Sequence, residues 1–146
     1  MKIKVVDTPE EKNQAFQIRT TVFVDEQKVS MEEEIDEFED VAIHFIGYKN
    51  KIPIAASRLR WVDDYGKLER ICILKEFRGK SYGSDLIKRM ETEVFKKGYK
   101  KAILNAQTRA VEFYKRLGYE IISGEFLDAG IPHVTMTKQL ILEDIK

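Results

Sequence analysis

The sequence predicts one α/β domain, with a mixed sheet of about seven strands flanked by about four helices (α+β by some schemes). Three observations carry this. The chain has 146 residues, which favours a single domain and lets roughly 68–70% of the unfolded surface be buried. Strand-period stretches form a meander and then alternate with helix-period stretches, the pattern of one mixed sheet with helices packed on it. No repeat or low-complexity segment interrupts that order, so residues 1–146 read as one unit.

Residues 2–6 alternate polar and apolar as a short strand does. Thr8-Pro9-Glu10-Glu11 combines an N-cap, a proline at the first helical position and a glutamate at the third, so a helix starts there. Ala15, Ile18 and Val22 form its buried stripe. Between Asp25 and Asp40 lie nine acidic residues around Val29, Met31, Ile35 and Phe38, read as a loop with one irregular helical turn. That segment is either a solvated face or an attractor for a cationic substrate.

Three strands follow at 41–48, 52–61 and 67–74, separated by Lys49-Asn50-Lys51 and Asp63-Asp64-Tyr65-Gly66, both short enough for hairpins. Residues 82–97 are helical, with Leu86, Ile87, Met90, Val94 and Phe95 apolar and Gly98 as the stop. A buried strand spans 101–106, and a helix over 108–117 ends at Gly118. Strands at 119–123 and 133–140 close the chain around a Gly/Asp/Pro-containing connection.

Lys+Arg and Asp+Glu both number 25, which argues against a dedicated nucleic-acid binder relying on phosphate neutralisation. Cys72 is the single cysteine, so no intramolecular disulfide forms, and a reducing compartment fits. The N-terminus lacks a signal-peptide core, and no run approaches the ~18 apolar residues of a membrane span. The expectation is a cytoplasmic protein with no membrane partner.

The most informative stretch is Arg78-Gly79-Lys80-Ser81-Tyr82-Gly83-Ser84, which follows a strand and opens an amphipathic helix. Glycines there turn backbone N–H groups inward and the helix N-terminus adds positive partial charge, which together make a phosphate cradle. Arg78 and Lys80 add full charges at its rim. Gly79-Lys80-Ser81 mimics the end of a P-loop, but that motif needs glycine where Leu74 stands, so an NTPase fails on its own signature.

A second motif is Ala110-Val111-Glu112-Phe113-Tyr114-Lys115-Arg116-Leu117-Gly118-Tyr119. Together the two resemble the GNAT superfamily of N-acetyltransferases. Members carry an Arg/Gln-x-x-Gly-x-Gly/Ala loop that binds the coenzyme A pyrophosphate; Arg78 and Gly83 match its ends, while Ser81 replaces the central glycine. A φ above zero at Ser81 would be strained. The later Ala-x-x-Phe/Leu-Tyr-x-x-x-Gly-Phe/Tyr signature is matched at Ala110, Phe113, Tyr114, Gly118 and Tyr119, with Gln107 where asparagine is usual. The resemblance spans nearly the whole chain. A closer similarity to an under-characterised bacterial subgroup rests on Arg19, Val22-Phe23-Val24, Glu26-Gln27, Glu33-Glu34-Ile35-Asp36, Ala106-Gln107 and Gly130-Ile131-Pro132-His133.

The resemblance implies acetyl transfer from acetyl-CoA, as co-substrate, to an amine by direct attack. Its acceptor is a small molecule or a protein amine, and its assembly a monomer or homodimer. Such chemistry needs a neutral amine, and deprotonating a lysine-like one at pH 7 costs roughly 4–5 kcal/mol. It also needs oxyanion stabilisation and a proton for the leaving thiolate. Glu69 is the candidate base, against the alternative of a glutamate paired with Arg70 or a cross-strand lysine. By resemblance, Ile71-Cys72-Ile73 offers backbone groups to pantetheine, and Gln107, Ala110 and Phe113 complete the coenzyme site with the cradle. Cys72 itself reads as a core thiol.

Tyr114 is the candidate acid, against a plain core pairing with Phe113. His133 shares a strand face with Thr135 and Thr137, so it points into an acceptor pocket or sits on the sheet surface. With His44 the only other histidine, a histidine-built metal site is not expected. A non-catalytic acyl-CoA-binding sensor or scaffold is the alternative function, since fold does not guarantee activity.

Overall fold

The computed structural model describes residues 1–145. Strand β1 (Lys2–Val5) leads to helix α1 (Pro9–Arg19). Thr8 Oγ1 accepts the Glu11 N–H at 3.1 Å, while Glu11 Oε1 reaches back to the Asp7 N–H at 2.9 Å. The predicted capping box is therefore present, shifted by one residue on its return bond. α1 runs into a π-helical segment, Thr20–Glu26, which continues the buried stripe through Val22. A single short helix, α2 (Met31–Glu34), is the irregular turn of the acidic segment.

Strands β2 (Ile43–Lys49), β3 (Ile52–Val62) and β4 (Tyr65–Ile73) form an antiparallel meander behind β1. Tyr65 and Gly66 belong to β4, so the β3–β4 turn is the two residues Asp63-Asp64 alone. Gly66 is required there because a Cβ would lie 2.5 Å from Val94 Cγ2 of the next helix. That helix, α3 (Tyr82–Lys96), buries Leu86, Ile87, Met90 and Val94 and ends at Gly98, whose φ is +89°.

The chain then forms β5 (Lys101–Gln107), a tight turn at Thr108–Ala110, α4 (Val111–Arg116), β6 (Glu120–Ile121), β7 (Phe126–Asp128), β8 (Ile131–Gln139) and α5 (Leu142–Ile145). The connection expected over 124–132 contains a strand, β7. Ala129 (φ +52°) and Gly130 (φ +75°) make a two-residue turn that pairs Asp128 with Ile131. Positive φ at both turn residues matches the strand twist, which makes the hairpin.

The sheet order is β1-β2-β3-β4-β5-β8-β6, with β7 also on β8. One core packs α3 against Phe45, Leu59, Leu68, Leu104 and Met136. A second, on the opposite face, packs α1 against Ile46, Ala56 and Cys72. β4 and β5 pair in parallel only over Gly66–Leu68 and Ala102–Leu104. Beyond Leu68 the two strands part, and the gap between their C-terminal ends is the main cleft. No helix among the described residues is long and apolar enough to cross a membrane.

Candidate active site

The cleft has a volume of about 560 Å³ and runs between β4 (Glu69 to Ile73) and the end of β5. It meets a second cavity of about 490 Å³ over the α3 N-terminus, and the two share Ile73, Arg78, Gly83 and Phe113. Gly79, Ser81, Tyr82, Gly83 and Ser84 line the second cavity; Lys80 is exposed and lines neither. Gly79 has φ +80° and Ser81 φ +67°, so the loop does place a serine where a left-handed backbone is strained. Ser81 makes no side-chain cap bond, leaving the first N–H groups of α3 without a side-chain partner at the cavity.

Arg78 donates through Nε to Ile73 O (2.9 Å) and through both terminal nitrogens to Glu26 (2.6 and 2.9 Å). That hydrogen bond is the main reason the Glu26 carboxyl lies below its usual range.

A β-bulge shapes the cleft wall. β3 supplies Ser57 where β4 supplies both Arg70 and Ile71, and Arg70 has φ +54°. The guanidinium of Arg70 turns to the acidic segment, donating to Glu33 O (3.1 Å) and Glu34 O (3.3 Å). Arg58 grips Asp36 with two 2.8 Å bonds and Glu39 with one of 2.7 Å, and Arg19 holds Glu34 at 2.8 Å. The acidic segment is thus neither wholly solvated nor a free attractor, because Glu34, Asp36 and Glu39 fold inward onto buried arginines. Burial pushes the Asp36 carboxyl up, but bonds from Arg58 and the Phe38 amide outweigh this and bring it down to about 2.

Glu69 belongs to the same network. Its carboxylate takes Arg58 Nε (3.0 Å), Arg60 Nε (2.8 Å) and Lys67 Nζ (3.3 Å). Burial raises its pKa, yet the Arg60 hydrogen bond and the charges of Arg58 and Lys67 reverse the effect and leave it below the usual range. Of the two readings left open for Glu69, the geometry favours the paired one, with arginines of β3 rather than Arg70 as partners. Cys72 donates to Ala56 O at 3.6 Å, and burial raises its thiol to about 12, so it is inert.

Tyr114 lines the cleft from α4, edge-on to Phe113 (ring centroids 5.1 Å) and Tyr119 (6.0 Å). Burial raises its phenol to about 12. The Gly118-Tyr119 pair has a physical reason: a Cβ on Gly118 would lie 3.2 Å from Lys138 Cε, as Lys138 reaches Glu91 at 3.2 Å. Tyr119 donates to the same carboxylate at 2.8 Å, tying the end of α4 to α3 and β8.

His133 is 8% exposed, stacks on Phe126 (6.0 Å) and lines the cleft, so it is not a sheet-surface residue. Its Nδ1 lies 2.6 Å from Ile131 O. A carbonyl only accepts, which assigns the proton of the neutral ring to Nδ1 and leaves the Nε2 lone pair available.

Gln107 and Ala110 line the cleft as well, and Gln107 donates to Gln27 Oε1 at 2.9 Å across it. Gln27, Arg70, Asn105, Arg109 and Asp128 also line the cleft, and Arg116 the second cavity; sequence reasoning assigned none of them to the site. Only the closer similarity at Gln27 carried a signal.

Residues 7–140 match the acetyltransferase (GNAT) domain, and the chain belongs to that acyl-transferring family. It is 48% identical over 139 residues to the uncharacterized N-acetyltransferase YjcF of Bacillus subtilis (strain 168), spanning 94% of this chain and 99% of the relative. The fold superposes on an acyl-CoA N-acyltransferase from Pseudomonas aeruginosa with a TM-score of 0.84 at 23% identity, over 94% of this chain and 99% of the other. It also superposes on an aminoglycoside 6'-N-acetyltransferase complexed with coenzyme A, with a TM-score of 0.77 at 18% identity, over 97% and 98%. At those identities the likeness concerns the fold.

Proposed function

We propose that this chain transfers the acetyl group of acetyl-CoA to an amine by direct attack in a ternary complex. The observation that carries the reading is the continuous groove from the α3 N-terminus to His133, with Tyr114 on its wall. In it the anion-seeking N–H groups, the unpaired edge of β4 and the proton-handling side chains follow one another. The pyrophosphate is held by the Gly79–Ser84 backbone and Arg78, and pantetheine by the backbone of Ile71, Cys72 and Ile73. The complex of the aminoglycoside 6'-N-acetyltransferase with coenzyme A supports that co-substrate.

His133 Nε2 accepts the proton of the incoming amine, since Glu69 is held by three cations and its basicity is low. Tyr114 donates a hydrogen bond to the sulfur as it leaves. A phenol near 12 is a weaker acid than a simple thiol, for which cysteine at about 8.5 is the guide, so donation and not full transfer is the role its pKa supports, and solvent protonates the thiolate on release. Glu69 keeps Arg58 and Arg60 in place behind the bulge that shapes the thioester wall.

Calorimetric titration with acetyl-CoA, using ATP as control, tests the reading. Binding of acetyl-CoA alone, followed by thiol release on adding amines, supports it. No binding removes the coenzyme assignment, and binding without turnover of any amine turns the chain into an acyl-CoA sensor.

A further inference from the structure

A co-substrate held as proposed above lies in the groove in one direction. Its pyrophosphate sits over the α3 N-terminus. Ile73 lines both cavities and Ile71 only the cleft, so pantetheine held by this backbone passes Ile73 first. The acyl end then points along β4 toward Glu69 and Leu68, and whatever closes the cleft there limits the acyl group.

The sheet itself closes it. β4 and β5 pair in parallel over Gly66–Leu68 and Ala102–Leu104, and Leu68 beside Leu104 is the last pair before the strands part. Both side chains line the cleft, although Leu68 is 2% and Leu104 1% exposed. Both belong to the core that packs against α3. Behind Leu68, on the same face of the strand, a Cβ on Gly66 would lie 2.5 Å from Val94 Cγ2 and 3.3 Å from Leu59 Cδ1. That position has no room for further carbon, and a core packed like an organic crystal resists inserted methylenes.

A longer acyl chain turned toward His133 instead would stand where the amine must attack. It would also lie on Glu69 with its cations, on Asn105 and on Gln107, polar groups that give an apolar tail no gain.

We infer that Leu68 and Leu104 select the acyl donor by length, admitting acetyl and refusing butyryl and longer groups. The inference rests on the acetyl-transfer reading above and adds the side chains that set its donor.

Calorimetry tests this without an acceptor. It measures Kd for CoA, acetyl-CoA, propionyl-CoA and butyryl-CoA on the wild type, Leu104→Val, Leu104→Ala and Leu86→Val. Each acyl-CoA is scored as a ratio to CoA on the same protein, with Tm alongside. The wild type is expected to bind butyryl-CoA roughly 10-fold or more weakly than acetyl-CoA, within the range of an overpacked core. Leu104→Val should lift the penalty on propionyl-CoA, and Leu104→Ala that on butyryl-CoA. Each methylene that then fits should tighten binding about 4-fold. Leu86 packs in the same core without lining the cleft, so Leu86→Val should keep the wild-type order.

Equal affinity of the wild type for acetyl-CoA and butyryl-CoA overturns the inference and leaves the coenzyme site standing. So does the wild-type order retained in Leu104→Val, the variant that decides if Leu104→Ala does not fold. The same shift in Leu86→Val also overturns it, by reducing the effect to a general loosening of the core. Failure of the wild type to bind CoA and acetyl-CoA overturns the underlying reading, and this inference with it.

Discussion

Replacing Glu26 with glutamine should tighten the binding of coenzyme A. Arg78 presents two two-pronged edges; Glu26 occupies one at 2.6 and 2.9 Å, and Ile73 O takes the Nε of the other at 2.9 Å. A pyrophosphate bound by the Arg78 fork must therefore displace Glu26, and the free protein holds an internal competitor for its own ligand. The side chains are 39% and 33% exposed, so solvent screens the pair, and it is worth about 0.2–1 kcal/mol. Removing it should lower the Kd for coenzyme A about 1.4- to 5-fold.

The assay is calorimetry at fixed ionic strength on the wild type, Glu26→Gln and Glu76→Gln. Glu76 acts on Arg78 by charge alone, without a hydrogen bond to it, and so controls for loss of a nearby negative charge. An affinity gain in Glu26→Gln beyond that of Glu76→Gln fits competition for the guanidinium. Equal gains would reduce the effect to general electrostatics. Weaker binding in Glu26→Gln would show that Glu26 aims Arg78 at the ligand, and would refute the argument.

Three further outcomes are expected. Tyr114→Phe should lower kcat by about 10²–10³-fold, the usual cost of one transition-state donor, with coenzyme affinity intact; unchanged kcat would take Tyr114 out of the mechanism. Ser81→Gly trades a left-handed serine, costing about 1–2 kcal/mol, for glycine's extra unfolded-state entropy of about 0.5–1 kcal/mol. Its unfolding free energy should accordingly stay level or rise by up to about 1.5 kcal/mol, and a drop in thermal unfolding would disprove the strain.

Stability should also fall in acid through the arginine–carboxylate network. The folded Asp36 titrates at about 2 against an unfolded value near 3.9. Its contribution of about 2.6 kcal/mol at most is therefore present above pH 4 and lost as pH drops toward 2. Glu39 and Glu69 are lowered too and act in the same direction. Urea midpoints should be level from pH 7 to about 5 and decline below 4; a midpoint unchanged at pH 2.5 would contradict this.

Much of the fold was legible because its signals are local. The Thr8 to Glu11 cap, the apolar stripe of α3 with its Gly98 stop, and the glycine-bearing loop before that helix each act within a few residues. The positive φ at Ser81 was not legible, because serine in place of the usual glycine is compatible with either sign of φ until the turn is formed.

What the sequence could not decide were the partners of charges far apart along it. The acidic segment reads alike whether solvated or buried, and only folding brings Arg19, Arg58 and Arg70 against it from α1, β3 and β4. The state of Glu69 turned on two arginines across a bulged strand pair, which no spacing announces. His133 needed Phe126 behind it, the Ile131 carbonyl beside it and a hairpin that sequence patterning passed over before it became a cleft residue with a defined tautomer. Backbone conformation is set largely by each residue and its near neighbours, whereas a charge takes its chemistry from whatever the tertiary fold places within a few ångströms of it.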